Sequence, residues 1–399
     1  MSSPRDFKIP IVDLRAQYDQ IQSEIGQTIE EVLASQRFIL GPAVERFEKQ
    51  MAAFLGCEHG IGVASGSDAL LLALMALGIG PGDGILVPTF TFFSTASAIT
   101  RLGAVPLFID SDPESYLMST RAVRSFMEER CRFQGETLLD VKSRLLVRTI
   151  LPVHLFGRCC TMSELVALAK KYGLTIVEDV AQACGARSLI EEEWKFAGTI
   201  GDLGCFSFFP SKNLGGYGDG GFVTTGRREL ADRVRMLRVH GERTKYHHEW
   251  IGLNSRLDSI QAAVLSVKLR YLDTWCERRN QHARYYTRLF QESGLVGHQV
   301  RSVPPTGLGR SHVFNNYVIS VKRRDDLKSY LADHGIQSEI YYPLPLHLQK
   351  CFAHLGYKQG DFPAAELAAT QVLALPIYPE ITSEQQEFVV GKVMDFFAA

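Results

Sequence analysis

The sequence predicts an α/β protein: a large domain with a mixed, mostly parallel sheet between helices, then a smaller C-terminal α/β domain. Three observations predict it. The first half alternates short β-rich runs with helical patterns, an order that gives a sheet covered by helices. Its strands include near-continuous apolar runs such as ILPV at 150–153, which suit a sheet buried on both faces. After Gly201 the texture shifts to a glycine-rich loop and long helices, and from about Val313 strand and helix mix again. The chain has 399 residues, enough for two or three domains at roughly 150 residues each. Two are expected, 1–250 and 251–399.

Taken in order, the strands are expected at Ile85–Pro88, Pro106–Asp110, Val147–Val153 and Leu174–Glu178. Helical spacing falls on Asp68–Leu77, Ser94–Arg101, Thr120–Glu129 and Met162–Tyr172. Between the last strands, Cys205–Phe209 and Gly221–Thr225, lies the loop LGGYGDGG. Helices follow over Glu229–Val239 and from Ser259 to about Leu289, the second with Asp258 as N-cap, and a final helix starts at Ser383. The charged stretch Glu128–Leu146 reads as a surface excursion and Glu191–Trp194 as a solvated hairpin.

Composition excludes several classes of function. Lys and Arg number 43 against 44 Asp and Glu, a formal net charge of −1, without the basic excess of a general nucleic-acid binder. Hydrophobic residues make up 46%, the globular range. The 8 cysteines show no CxxC or Cys/His zinc spacing, so reduced thiols and no metal site are expected. The start MSSPRDFKIP lacks a signal-peptide core, and the most apolar run, Ala69–Leu77, is too short to span a bilayer. A cytoplasmic protein without a membrane segment is the expectation.

No GxxxxGK[ST], HExxH or GxSxG is present. Gly216, Gly218 and Gly221 fit GxGxxG, but this loop leads into a strand, whereas a dinucleotide site must open a helix. More is carried by Ser65-Gly66-Ser67-Asp68 before an apolar helix: helix-start amides suit a phosphate, although Ser67 or Asp68 as a plain N-cap explains the pattern too. Asp179 ends a buried strand, where open α/β sheets place ligands; a helix N-cap is the alternative. Lys212 follows a strand that delivers Ser207 and is flanked by Phe208, Phe209 and Leu214. Desolvation there would lower its proton affinity and favour Schiff-base chemistry.

In this order the segments SGSDALLLAL, PTFTFFST, PVHLFG, IVEDVAQACGA, FSFFPSKNLGGYGDGG, RVHG, NSRLDSIQAAVL, YYPLPLH and GDFPAAELA resemble the fold-type I pyridoxal 5′-phosphate enzymes. More narrowly, they resemble the DegT/StrS family of nucleotide-sugar aminotransferases, from VDLRAQY to LALPIYPEIT. The resemblance implies that Lys212 carries the cofactor as a Schiff base and shuttles a proton, and that Asp179 pairs with the pyridine nitrogen. It implies that Gln182 bonds the 3-oxygen and that Phe92 stacks on the ring. Gly66, Ser67, Asp68 and Ser207 would hold the phosphate, and Asn254 would reach it from the other subunit of a homodimer with shared active sites. Tyr217, Arg238, His240, Tyr341, Tyr342 and His347 are candidates for substrate contact, and Arg256 for anion recognition. Structural ion pairs are the alternative for Arg238 and Arg256, and a structural or surface place is the alternative for the histidines.

The implied reaction moves an amino group from an amino acid, usually glutamate, to a keto carbon of a nucleotide-linked hexose, with pyridoxamine phosphate as the intermediate form. IxYP, PLHLQ and GDFPAAE look nearer to enzymes acting on 3-keto than on 4-keto sugars. Tyr341 stands where the family commonly has histidine, which puts that sugar contact in doubt. A relative acting on a cyclitol or other non-nucleotide ketone would use the same residues. The family's dehydratase branch replaces the lysine by histidine, against Lys212. A binding or regulatory protein on the same fold would be expected to lose Lys212, Asp179 or Ser207, and all three are present.

Overall fold

The computed structural model describes residues 8–135, 137–307 and 309–398. The polar N-terminal segment read above falls largely on residues 1–7, outside the described residues. Two helices not anticipated above open the fold, α1 (Leu14–Ser35) and α2 (Pro42–Leu55). Asp13 caps α1 by accepting from Ala16 N–H at 2.9 Å, and Pro42 starts α2 with its φ preset. Then come β1 (His59–Val63), α3 (Gly66–Ala76), β2 (Asp83–Pro88), α4 (Phe93–Arg101), β3 (Val105–Ile109) and α5 (Thr120–Arg130). The chain continues through β4 (Cys131–Gln134), β5 (Thr137–Asp140), β6 (Leu145–Ile150), α6 (Met162–Tyr172), β7 (Thr175–Asp179), β8 (Arg187–Ile190) and β9 (Glu193–Phe196). β10 (Leu203–Ser207), β11 (Gly221–Thr225) and α7 (Arg228–Leu237) complete this part.

The main sheet has 9 strands, in the order β1-β11-β10-β7-β6-β2-β3, with β5 beside β6 and β4 beside β5. The run from β10 to β3 is parallel, while β11 is antiparallel to both β1 and β10. This is the mixed, mostly parallel sheet expected. β8 and β9 form the expected hairpin.

One expectation is refined and one corrected. Glu128–Leu146 is largely exposed, as expected of a surface excursion, but it is built as strand: β5 pairs antiparallel with β6 and extends the sheet. Leu138 is buried in the main core, and Arg130 neutralises the buried Asp140 at 2.5 Å. The charges that made this segment look solvated are therefore partly spent on each other. The helix expected from Ser259 to about Leu289 is two, α8 (Ser259–Leu269) and α9 (Leu272–Glu292). They part at a tightened turn, where Arg270 and Tyr271 N–H reach only to Val267 and Lys268.

A small hairpin, β12 (Glu242–Thr244) with β13 (His247–His248), precedes α8. The C-terminal part has an antiparallel sheet of β14 (Val300–Ser302), β15 (Tyr317–Val321) and β16 (Val372–Leu375). It is accompanied by α10 (Arg324–Asp333), α11 (Pro363–Gln371) and α12 (Ser383–Ala398). Its core gathers Tyr286, Phe290, Tyr317, Leu331 and Val389, with Ile9 from the chain start. Beyond residue 250, Leu257, Ala262 and Leu265 pack with Val44 and Phe47 of α2.

Leu138→Ala should lower stability by about 2–5 kcal/mol in a urea titration, the cost of deleting a buried leucine side chain. An exposed leucine at that position would tolerate it within about 0.5 kcal/mol.

Candidate active site

Strand register assembles the site. Gly221 lies opposite both Val63 and Ser207, and Cys205 lies opposite Asp179. The C-terminal ends of β7 and β10 and the turn from β1 into α3 therefore meet at one edge of the sheet. Gly221 passes so close to that turn that a Cβ on it would lie 2.2 Å from Ser65 O. A Cβ on Gly66 would lie 2.6 Å from Ser207 Cβ. Both are glycine because another part of the chain occupies the space, the Ser65 backbone at Gly221 and the Ser207 side chain at Gly66.

The helix-start cup has a different cap from the one expected. Ser65, not Ser67 or Asp68, is the N-cap of α3, accepting from Asp68 N–H at 3.1 Å. The amides of Gly66 and Ser67 are thus first-turn N–H groups without acceptors in the helix, and the helix dipole points its positive end at them. Ser67 Oγ lies 2.6 Å from Ser94 Oγ, so one of the two hydroxyls keeps a hydrogen to donate. Ser207 Oγ stands beside Gly66. This donor set fits a phosphate.

Glu178 and Asp179 are adjacent on β7, so their side chains take opposite faces. Glu178 is satisfied within the protein: it accepts from Gly198, Ile200 and Gly201 N–H at 2.7–2.9 Å and faces His154 Nε2 at 3.0 Å. Among the described residues the Asp179 carboxylate, the residue being 4% exposed, accepts only from Thr95 Oγ1 at 2.9 Å and Ala181 N–H at 3.1 Å. No helix follows it, so it is not a helix N-cap. Burial raises its pKa; the Ala181 amide, Thr95 and the charge of Lys212 only oppose this. A cationic ring nitrogen would supply the missing compensation.

Lys212 sits on a turn closed by its N–H donating to Phe209 O at 2.9 Å. The next residue anchors the turn: Asn213 Nδ2 donates to Val313 O at 3.1 Å. Phe208 and Leu214 are fully buried, while Phe209 is 53% exposed, so the expected apolar surround is partial. Burial lowers the Lys212 pKa, opposed by Asp179. Gln182 accepts from Phe156 N–H and donates to Tyr342 Oη. Phe92 is exposed and meets Tyr342 ring to ring at 6.1 Å. Phosphate donors, an aromatic ring, a buried carboxylate and a desolvated lysine together fit pyridoxal 5′-phosphate.

The other candidates separate. Tyr341 and Tyr342 are half-buried, while Tyr217 and Asn254 are exposed. Tyr217 is held by Gln261, which accepts from its N–H at 2.8 Å, and by Tyr18 and Lys268 against its ring. His240 is exposed with φ 63. Two of the candidates are engaged within the protein. Arg238 is buried, bonded to Glu48 at 2.5 Å and to Gly62 O at 2.8 Å, a structural ion pair. His347 is buried with both ring nitrogens engaged, by Thr89 at 2.8 Å and Glu366 at 3.1 Å, and pins its turn to the end of β2. Thr95, Ser94 and the Phe156 amide went unread. Thr95 and Ser94 lie in PTFTFFST, where the first turn of α4 carries them beside Phe92. Nothing in sequence marks a backbone amide. Among the described residues no cluster suited to a metal ion occurs.

Residues 19–394 match the family model described as the DegT/DnrJ/EryC1/StrS aminotransferase family. A Geobacillus stearothermophilus protein named pleiotropic regulatory protein is 45% identical over 98% of this chain and 99% of its own. An Acidithiobacillus ferrooxidans protein named UDP-N-acetyl-3-dehydro-α-D-glucosamine 3-aminotransferase is 42% identical over 94% of this chain and 95% of its own. The crystal structure of DesV from S. venezuelae, in complex with a ketimine intermediate, superposes with a TM-score of 0.88 at 39% identity, covering 98% of each chain.

Gly66→Ala should fold yet weaken pyridoxal 5′-phosphate binding at least about tenfold, the factor that about 1.4 kcal/mol represents. Equilibrium dialysis of the cofactor checks this, and unchanged affinity would remove the α3 start from the phosphate site.

Proposed function

Because the chain belongs to the DegT/DnrJ/EryC1/StrS aminotransferase family, we propose that this pyridoxal 5′-phosphate-dependent aminotransferase moves an amino group from L-glutamate to the 3-keto carbon of a nucleotide-linked hexose. The observation that carries the reading is the meeting of Lys212, Asp179, Gln182 and the α3 start at one edge of the sheet. The 3-keto preference is supported by the name of the Acidithiobacillus relative. The regulatory name of the Geobacillus relative does not favour a binding-only reading, since this chain keeps Lys212, Asp179 and Ser207.

The cofactor, when bound, supplies an electron sink that stabilises negative charge at the substrate carbon. The chain's own residues do the rest. Asp179 holds the ring nitrogen protonated, because burial makes an unpaired carboxylate costly. Lys212, its pKa lowered by burial, takes and returns a proton through Nζ as general base and acid. The amides of Gly66 and Ser67 and the hydroxyl of Ser207 would hold the phosphate, and Phe92 would stack on the ring.

The reading includes a homodimer with Asn254 completing the partner's site. Asn254 is exposed, and Phe38, Ile39, Trp250 and Ile251 on neighbouring segments are exposed apolar residues, Ile251 at 93%. Ile39 bridges to Asp258 and Asn254 to Val239, which places this apolar surface around Asn254. The free cysteines favour a reducing cytoplasm. Among the described residues no helix is long and apolar enough to cross a membrane.

Lys212→Ala should abolish both turnover and the cofactor's visible absorbance. Asp179→Ala should cost on the order of 10²-fold or more in kcat, the usual size of electrostatic and acid–base effects. Release of 2-oxoglutarate from glutamate should occur with 3-keto and not 4-keto nucleotide sugars. Turnover only with a cyclitol ketone would refute the substrate assignment.

A further inference from the structure

We propose that Tyr342 is a positioning residue: it fixes the Gln182 amide and, through it, the hydrogen bond offered to the cofactor's 3-oxygen. The inference rests on the assignment of Gln182 to that oxygen.

Gln182 Oε1 accepts from Phe156 N–H at 2.6 Å. A backbone N–H only donates, so this contact settles which end of the amide is oxygen. The anchor is itself well fixed. Phe156 has φ 60, a left-handed conformation that a non-glycine residue adopts only when its surroundings hold it there. Its carbonyl accepts from Asn316 N–H at 3.2 Å, and that of Gly157 accepts from Val313 N–H at 2.9 Å. On the other side, His154 N–H donates to Asp179 O at 3.0 Å and Cys160 N–H donates to His154 Nδ1 at 3.0 Å.

With Oε1 pinned, the two amide hydrogens face away from Phe156. One goes to Tyr342 Oη at 3.0 Å, leaving a single N–H for a ligand. Tyr342 is wedged in turn, its ring meeting Phe90 at 6.2 Å, Phe92 at 6.1 Å and Tyr341 at 5.8 Å. Its turn is tied down by Leu346 N–H donating to Thr89 O at 2.8 Å. Burial raises the Tyr342 pKa; the Gln182 bond opposes the rise and Asp179 adds to it. The phenol therefore stays neutral and serves Gln182 as an acceptor. Without it, both amide hydrogens would be free and the remaining one would lose its fixed direction.

A hydrogen bond to the 3-oxygen stabilises that oxygen as an anion. Its loss should raise the pH at which the bound cofactor's visible absorbance changes. The test titrates this absorbance in cofactor-loaded wild type, Tyr342→Phe, Gln182→Leu and the double variant. Each single change should move the midpoint up by about one pH unit, the scale of one hydrogen bond to a charged group. The double variant should move no further than Gln182→Leu alone, since the effect runs through Gln182. An unmoved midpoint in Tyr342→Phe, or additive shifts, would overturn the proposal. A shift in Tyr342→Phe with none in Gln182→Leu would overturn it differently, by removing Gln182 from the 3-oxygen. Phenylalanine keeps the ring packing; should that variant not fold, Tyr342→Met also lacks the hydroxyl while filling the space.

Discussion

Asp179 is buried at the end of β7 with one threonine hydroxyl and one backbone amide as partners, and a carboxylate so placed needs a cation. Its neighbour Glu178 shows what full compensation looks like on the same strand: three backbone amides and a histidine. The protein thus treats two adjacent acids differently. One is locked into the scaffold and one is kept for a ligand. Lys212 supplies part of the missing charge, but a lysine depressed by burial is a weak substitute for a fixed cation. A protonated ring nitrogen answers both needs, since it stabilises the carboxylate and leaves the amine free to react.

The rest of the fold keeps that arrangement in place. Parallel pairing from β10 to β3 brings the strand ends to one side, and the antiparallel β11 returns Gly221 against Ser65. The C-terminal part docks through polar contacts at the same edge. His347 bonds Thr89, and Asp110 accepts from Ala364 and Ala365 N–H at 3.1 and 2.9 Å. These contacts bring Tyr342 to Gln182. Of the candidates for substrate contact, His347 is engaged here by Thr89 and Glu366, and Arg238, elsewhere, by Glu48 and Gly62.

Much of this was legible in the chain. The alternation of apolar runs and helical spacing marked the sheet, and FSFFPSKN and IVEDVAQ marked the lysine and the carboxylate. What escaped had physical reasons. The β4–β5 hairpin is rich in charge, and only its pairing with β6 shows that Arg130 and Asp140 cancel. The α3 cap was misplaced because Ser65, Ser67 and Asp68 are all good caps, and backbone geometry alone selects Ser65. Arg238 and His347 sit in segments that resemble active-site ones, and only their buried partners show that they hold structure. The role of Phe156 rests on its amide, which every residue but proline carries.

Lys268 provides a direct comparison for the central claim. It is a buried lysine whose pKa, like that of Lys212, burial lowers, here to about 8, and it lies 5.0 Å from the Tyr217 ring. Desolvation alone would therefore allow either lysine to bind the cofactor covalently; only Lys212 also neighbours Asp179. Cofactor-loaded protein can be reduced with borohydride, digested and mapped by mass spectrometry. The account predicts the cofactor's mass on the peptide containing Lys212 and on no other. Label on the peptide containing Lys268, or no covalent label, would contradict it.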